Sequence, residues 1–554
     1  MAKIGIFLIL WAAAGIAQDQ PPTDGPAPGS IAGRVTDAGT GSPMPEVDVY
    51  ANRGARDELH AVTDAQGRYA IRGLEAGQYR VSAMAPSPVG HGFGASASRQ
   101  VSLAAGQELA AIDFHLVAFA SVTGRVVDQN NEPVPGLTVF LVAREYSGGV
   151  LRAVFARSSL TDDRGDYRLE RIPAGRGYFI LAQRFPRDLD AISNAPLDPK
   201  LRRPAVVPTY YPNGANMDNG QALVLAPGEH REGVDIHLVR SPSLCVEAVL
   251  EGASGPSDLH FNIAETQPAS GASGDGAFYM RMPHGVSGRD GKVRICDLHP
   301  GQYELSATEY GAEPQSPASM FGAVVLNIAD QDLRGVRLVT RPRLVLPGEV
   351  VWDGAAPVNP PAAEVNIRVQ PITRTGDAAL FAGVNVPLPG EFSLPGVLMD
   401  EYLVRITRVP TGMYIKDVTY GGHSIWNLTL RPGTATADPS LRVVVARDGG
   451  TLTARVTDKD GNPVGDTTVV AMPAAADSEA ILAATMLTGK TDQFGAYTSS
   501  TLAPGKYYVL APMTAVDKSP ESIARLWRAR TAAYEVEVPP NGTGAAMLVP
   551  KAIE

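Results

Sequence analysis

The stretch Gly67–Ala83, GRYAIRGLEAGQYRVSA, constrains this chain more than any other. Tyr69 and Ile71, then Tyr79 and Val81, alternate with polar neighbours, the period of two of half-buried strands. Glu75 to Gln78 make a turn, in which Gly77 is expected at positive φ. The same grammar returns at Gly165–Ala182, Gly291–Ala307, Gly390–Ile406 and Gly495–Ala511. One β-module is therefore written five times, and a fold built on long helices is excluded.

Around each copy lie further short alternating runs. In the first module these are Ile31 to Asp37, Val47 to Tyr50, Val101 to Leu103 and Ile112 to Leu116. About seven short strands in some ninety residues is the pattern of an antiparallel sandwich. The expected fold is all-β: five tandem antiparallel β-sandwich modules at 30–118, 119–240, 241–341, 342–447 and 448–554. The length of 554 residues requires several cores, and 57 Gly with 45 Pro suits many turns. One helix is expected near the C-terminus. Ser519 caps it, Pro520 suits its first turn, and Ile523, Leu526 and Trp527 share one face. The fourth module departs most, with Met399-Asp400-Glu401 in place of the glycine turn.

Residues 1–17 read as a secretory signal: Lys3, an apolar run from Ile4 to Ile16, and a small-x-small end at Gly15-Ile16-Ala17. Residues 18–29 follow as a linker rich in Pro and Gly. The chain is expected in the periplasm or outside the cell. No later run is long and apolar enough to insert the mature chain in a membrane. A net charge of -10 without a Lys/Arg block excludes nucleic acid as a partner. The two cysteines, Cys245 and Cys296, occupy outward-parity slots on two strands of module three. They pair if those strands are neighbours, and stay as two free thiols otherwise.

Three marks recur with these repeats. They are Gly-Arg-Val-x-Asp with a nearby Pro (Gly33, Val35, Asp37, Pro43; Gly124, Val126, Asp128, Pro133), Thr-Asp-x-x-Gly-x-Tyr (Thr63, Asp64, Gly67, Tyr69; Thr161, Asp162, Gly165, Tyr167) and Gly-x-Tyr (Gly77, Tyr79; Gly301, Tyr303; Gly505, Tyr507). In these marks the chain resembles the carboxypeptidase regulatory-like domains, transthyretin-like sandwiches grouped with a carbohydrate-binding-like fold. The resemblance implies a non-catalytic accessory module and names no ligand.

No His-Glu-x-x-His, Gly-x-Ser-x-Gly or P-loop occurs, so no catalytic residue, metal ligand or cofactor is expected. Asp458 to Asn462 reads as a hairpin turn rather than a calcium loop, since its Gly comes early and no Glu closes it. Arg164-Gly165-Asp166 reads as a turn rather than an adhesion tripeptide. Trp352, Tyr414, Tyr420 and Trp426 are expected as core or inter-domain contacts. The candidate ligand site is the long loop 183–219, where Arg202, Arg203, Tyr210 and Tyr211 are expected to line a shallow pocket at one end of module two. The alternative is that the tyrosines fold back and pin the loop. The function expected is an exported binding or scaffold protein of the cell envelope, for a glycan or an envelope protein. Its rivals are a passive spacer or adhesin-like stalk, and an unrecognised hydrolase-associated enzyme.

Overall fold

The computed structural model describes residues 28–53, 58–86, 93–183, 197–202, 204–252, 255–256, 259–265, 284–309, 320–355, 363–371, 382–435 and 438–553. Residues 1–27, which hold the expected signal and most of the expected linker, lie outside these, as do Arg203 and part of the long loop.

The chain is all-β. In the first span the strand Gly29–Asp37 pairs antiparallel with Arg68–Leu74, and a second sheet orders Glu58–Val62, Asp48–Asn52, Gly77–Pro86 and Phe93–Leu103. The inward residues of both sheets (Ile31, Val35, Val49, Ile71, Val81, Val101) form one buried cluster. Two sheets facing one core recur in each later span, with main clusters at 120–238, 244–338, 346–445 and 452–548. Among the described strands, pairing is antiparallel except where the first strand of each span meets a closing strand in parallel, as Val35 does Phe114 and Ala454 does Ala546.

The recurring motif is a set of local locks. The Thr63 hydroxyl donates to Met44 O (2.7 Å) and accepts from Val47 N (2.9 Å), binding strand to turn. Thr161 and Thr491 do the same in modules two and five. Asp64 Oδ1 accepts the N–H groups of Gln66 and Arg68, both at 2.9 Å, which closes the hairpin. Gly67 sits at φ +72°, where a Cβ would lie 2.4 Å from Val35 O; Gly165 and Gly495 stand in the same place. Glycine is required there for both conformation and space. Gly77 is not at positive φ. The turn's left-handed residue is Gly73 at +80°, and Gly77 instead makes room for Arg53.

The last tyrosine of the motif is a corner post. Its hydroxyl donates to a carbonyl a few residues upstream: Tyr79 to Glu75, Tyr178 to Pro173, Tyr303 to His299 and Tyr507 to Ala503, at 2.8–3.0 Å. Tyr402 holds the same post in the divergent module four, accepting from Leu398 N at 2.9 Å.

The expected helix spans Pro520–Ala529, with Ser519 Oγ accepting from Ser522 N. A second helix, Glu479–Thr485, was not expected; Ser478 caps it. Both cover the outer face of module five's second sheet, and Leu482, Ile523 and Leu526 join Val470 and Met472 in a further cluster.

The modules do not run in a line. Tyr146 of module two packs on that last cluster, and its N–H donates to Lys518 O (2.8 Å). Arg405 of module four donates to Ser147 Oγ (2.8 Å). Gly412 N donates to Thr501 Oγ1 (3.0 Å), and Gln493 Nε2 reaches Ser102 O (3.4 Å). Module five therefore touches modules one, two and four.

Candidate functional site

The described part of the long loop packs on its own sheet. Tyr210 is 7% exposed and packs with Phe140, Val142, Leu181 and Met217 on the outer face of the module's sheet. Thr209 and Tyr210 add a short strand to that sheet, paired with Ala182 and Leu181. Tyr211 is half-buried against the core, and its N–H donates to Ile180 O (2.8 Å). The loop's backbone groups bond the sheet edge and draw both tyrosines inward.

Arg202 is spent elsewhere. Its guanidinium forks onto Asp332 of module three, Nη1 to Oδ1 at 2.6 Å and Nη2 to Oδ2 at 2.8 Å. Nη1 also donates to Ser243 O and Nη2 to Leu197 O. The side chains are 2% and 9% exposed. The pair holds the Asp332 carboxyl below its ordinary value, chiefly through the hydrogen bonds from Arg202. Arg203 lies outside the described residues. Of the three described residues of that expected set, Tyr210 and Tyr211 pack on their own module and Arg202 binds module three.

Asp332 Oδ1 also accepts from Cys245 N (2.9 Å). Cys245 and Cys296 form a disulfide between the adjacent strands Leu244–Gly252 and Lys292–Leu298. Both cysteines are fully buried despite their outward parity. The register slips between Leu244 and Val246, and the Arg202–Asp332 pair lies beside Cys245.

The remaining candidates resolve into structure. Asp458 Oδ1 accepts from Asp460 N and Asn462 N, which makes a turn. Asp166 is held by Arg125, Nε to Oδ1 at 2.6 Å. Trp352 and Tyr420 are buried, and the Tyr414 hydroxyl, pushed up to about 12 mainly by burial, donates to Asp448 (3.2 Å). Among the described residues no group of three or more His, Cys, Asp or Glu could hold a metal, and no helix is long and apolar enough to cross a membrane.

One concave site joins three modules. A cleft of about 1000 Å³ lies between the hairpin tip Gly148-Gly149, the module-four segment Tyr420 to Ala435, and the start of helix Glu479–Thr485. Trp426 lines it, half-buried, with Leu428, 56% exposed, beside it. His423, Asn427, Arg431, Thr434 and Asp477 supply polar groups. Glu401 anchors the rim, accepting from Arg431 Nη2 (3.0 Å) and Thr429 Oγ1 (2.5 Å). The walls come from residues hundreds of positions apart, so no sequence window shows them. Only Ser478-Glu479 ahead of Ile481 and Leu482, a helix start, marks one wall.

Residues 30–117 match the carboxypeptidase regulatory-like domain. No curated protein matches the chain. Among solved structures, a streptococcal ancillary pilin aligns at 13% identity over 57% of this chain and 100% of its own, with TM-score 0.18. The Bacillus anthracis TIE protein aligns at 11% identity over 79% and 75%, with TM-score 0.15. The minor pilin of Streptococcus agalactiae aligns at 13% identity over 39% and 97%, with TM-score 0.21. At such TM-scores neither arrangement nor role carries over.

Proposed function

We propose that this chain is an exported, non-catalytic binding protein of the cell envelope, built from five sandwich domains at 30–118, 119–240, 241–341, 342–447 and 448–554, and that its ligand is a glycan segment seated in the three-module cleft. The observation that carries this reading is the cleft itself. Ligand sites favour such concave junctions between domains. An indole with an apolar neighbour offers a face for a sugar ring, and Asn427, Arg431, Thr434 and Asp477 offer donors and acceptors for its hydroxyls. A spacer has no need to fold module five back onto modules one, two and four, and this contact favours binding over a stalk.

A glycan array probed with the mature chain, its Trp426→Ala variant and its Tyr211→Ala variant tests this. Specific binding that Trp426→Ala abolishes and Tyr211→Ala spares supports the reading. No glycan bound, or binding indifferent to Trp426→Ala, overturns it. A protein captured from envelope extracts in a Trp426-dependent way keeps the cleft and replaces the glycan.

A further inference from the structure

The long hairpin, strands Thr138–Ser147 and Val150–Leu160, carries Arg152 near its tip. Arg152 stands directly across from Glu145. Glu145 nevertheless accepts from Arg176, Nη1 to Oε1 at 2.6 Å, and the same nitrogen lies 3.5 Å from Asp517 Oδ2. One nitrogen of Arg176 thus bonds Glu145 and lies near Asp517. Arg152 is only 6% exposed, and its Nε and Nη2 are buried with no hydrogen-bond partner. Burial, and after it the Arg405 cation, pull the Arg152 guanidinium below its ordinary value. Arg405 holds Ser147, two residues along the strand from Glu145.

A buried charge without a counter-charge is costly, and an arginine does not escape by losing its proton. The two orphan nitrogens form one edge of the guanidinium fork. That edge presents two parallel donors at the spacing of two oxygens on one oxyanion. We propose that this junction holds a small inorganic oxyanion, phosphate or sulfate, bound bidentately on the Nε–Nη2 edge of Arg152 with Arg405 supplying a second positive charge. Arg152 belongs to module two and Arg405 to module four. The anion is therefore a pin between them, and it fixes the hairpin whose tip lines the cleft.

The test uses the full mature chain, exchanged into chloride and titrated with phosphate and with sulfate at constant ionic strength. The melting temperature is read alongside calorimetric binding. The expected result is a saturable rise in Tm with either oxyanion and none with added chloride. Arg152→Met removes that rise, yet melts in chloride at or above the wild type, because it deletes an unpaired buried charge. Arg152→Lys keeps the charge but lacks the fork, and weakens binding by about tenfold or more. Absence of a saturable oxyanion effect, an equal effect of chloride, or full binding in both variants overturns the proposal. An Arg152→Met chain that fails to fold leaves the decision to Arg152→Lys.

Discussion

Replacing Arg202 with Ala strikes the contact that joins modules two and three. The change removes hydrogen bonds to Asp332, Ser243 and Leu197. It leaves Asp332, 9% exposed, with the Cys245 N–H as a remaining donor. Breaking a buried pair from one side costs about 3–5 kcal/mol. At 1.36 kcal/mol per decade, a loss of 3 kcal/mol speeds local opening by roughly 150-fold. Hydrogen exchange followed by mass spectrometry on the strand Leu244–Gly252 reads this directly. The double variant Arg202→Leu/Asp332→Leu recovers most of the protection, since both charges then leave together. The effect has a pH signature. Asp332 is held below its ordinary value of 3.8, so its contribution is complete above that value and is lost as pH falls through the lower folded pKa. The difference between wild type and Arg202→Ala is therefore full at neutral pH and shrinks below about pH 4. An acceleration under about fivefold, the size expected of an exposed pair, refutes the reasoning.

Other outcomes follow from the same contacts. Cys245→Ser/Cys296→Ser opens a covalent loop with a sequence separation of 51 and lowers the stability of module three by about 4 kcal/mol, measured by urea unfolding; unfolding at wild-type urea would contradict it. Tyr167→Phe removes the 2.6 Å bond to Val234 O and leaves that buried carbonyl unpaired, a loss of about 1–3 kcal/mol in the same assay. Burial pushes Tyr178 and Tyr507 up to about 12 from 10, so their contribution is whole below pH 10 and fades as pH rises towards 12; absorbance at about 295 nm then shows these phenols ionising late or with unfolding. Gly165→Ala forces a Cβ to 2.6 Å from Val126 O at positive φ and costs at least about 1–2 kcal/mol, read as a lower Tm.

The sandwiches were legible because their determinants are local. Thr63, Asp64 and Tyr79 each act on partners within about twenty residues, so a window of sequence contains both halves of each lock. Even Tyr402 survives where its glycine turn does not, which keeps module four readable. The candidate site was not legible, for the opposite reason. Arg202 and Asp332 are 130 positions apart, and Ser147 and Arg405 are 258 apart. Nothing in Arg202 or Tyr210 as letters distinguishes a ligand-facing side chain from one spent on a neighbouring module. Thr209, Tyr210 and Met217 of that loop serve packing against the sheet.

Modules two and five meet, and their meeting builds the cleft. A Cβ added at Gly149 lies 3.8 Å from the Ala484 Cβ, the separation typical of a disulfide. In the paired variant Gly149→Cys/Ala484→Cys, air oxidation of the purified chain should give an intramolecular cross-link, seen as a mobility shift on non-reducing gels and confirmed by peptide mapping. Two freely titrating thiols at these positions in the folded chain, with no cross-link formed, would contradict the folded-back arrangement and the cleft with it.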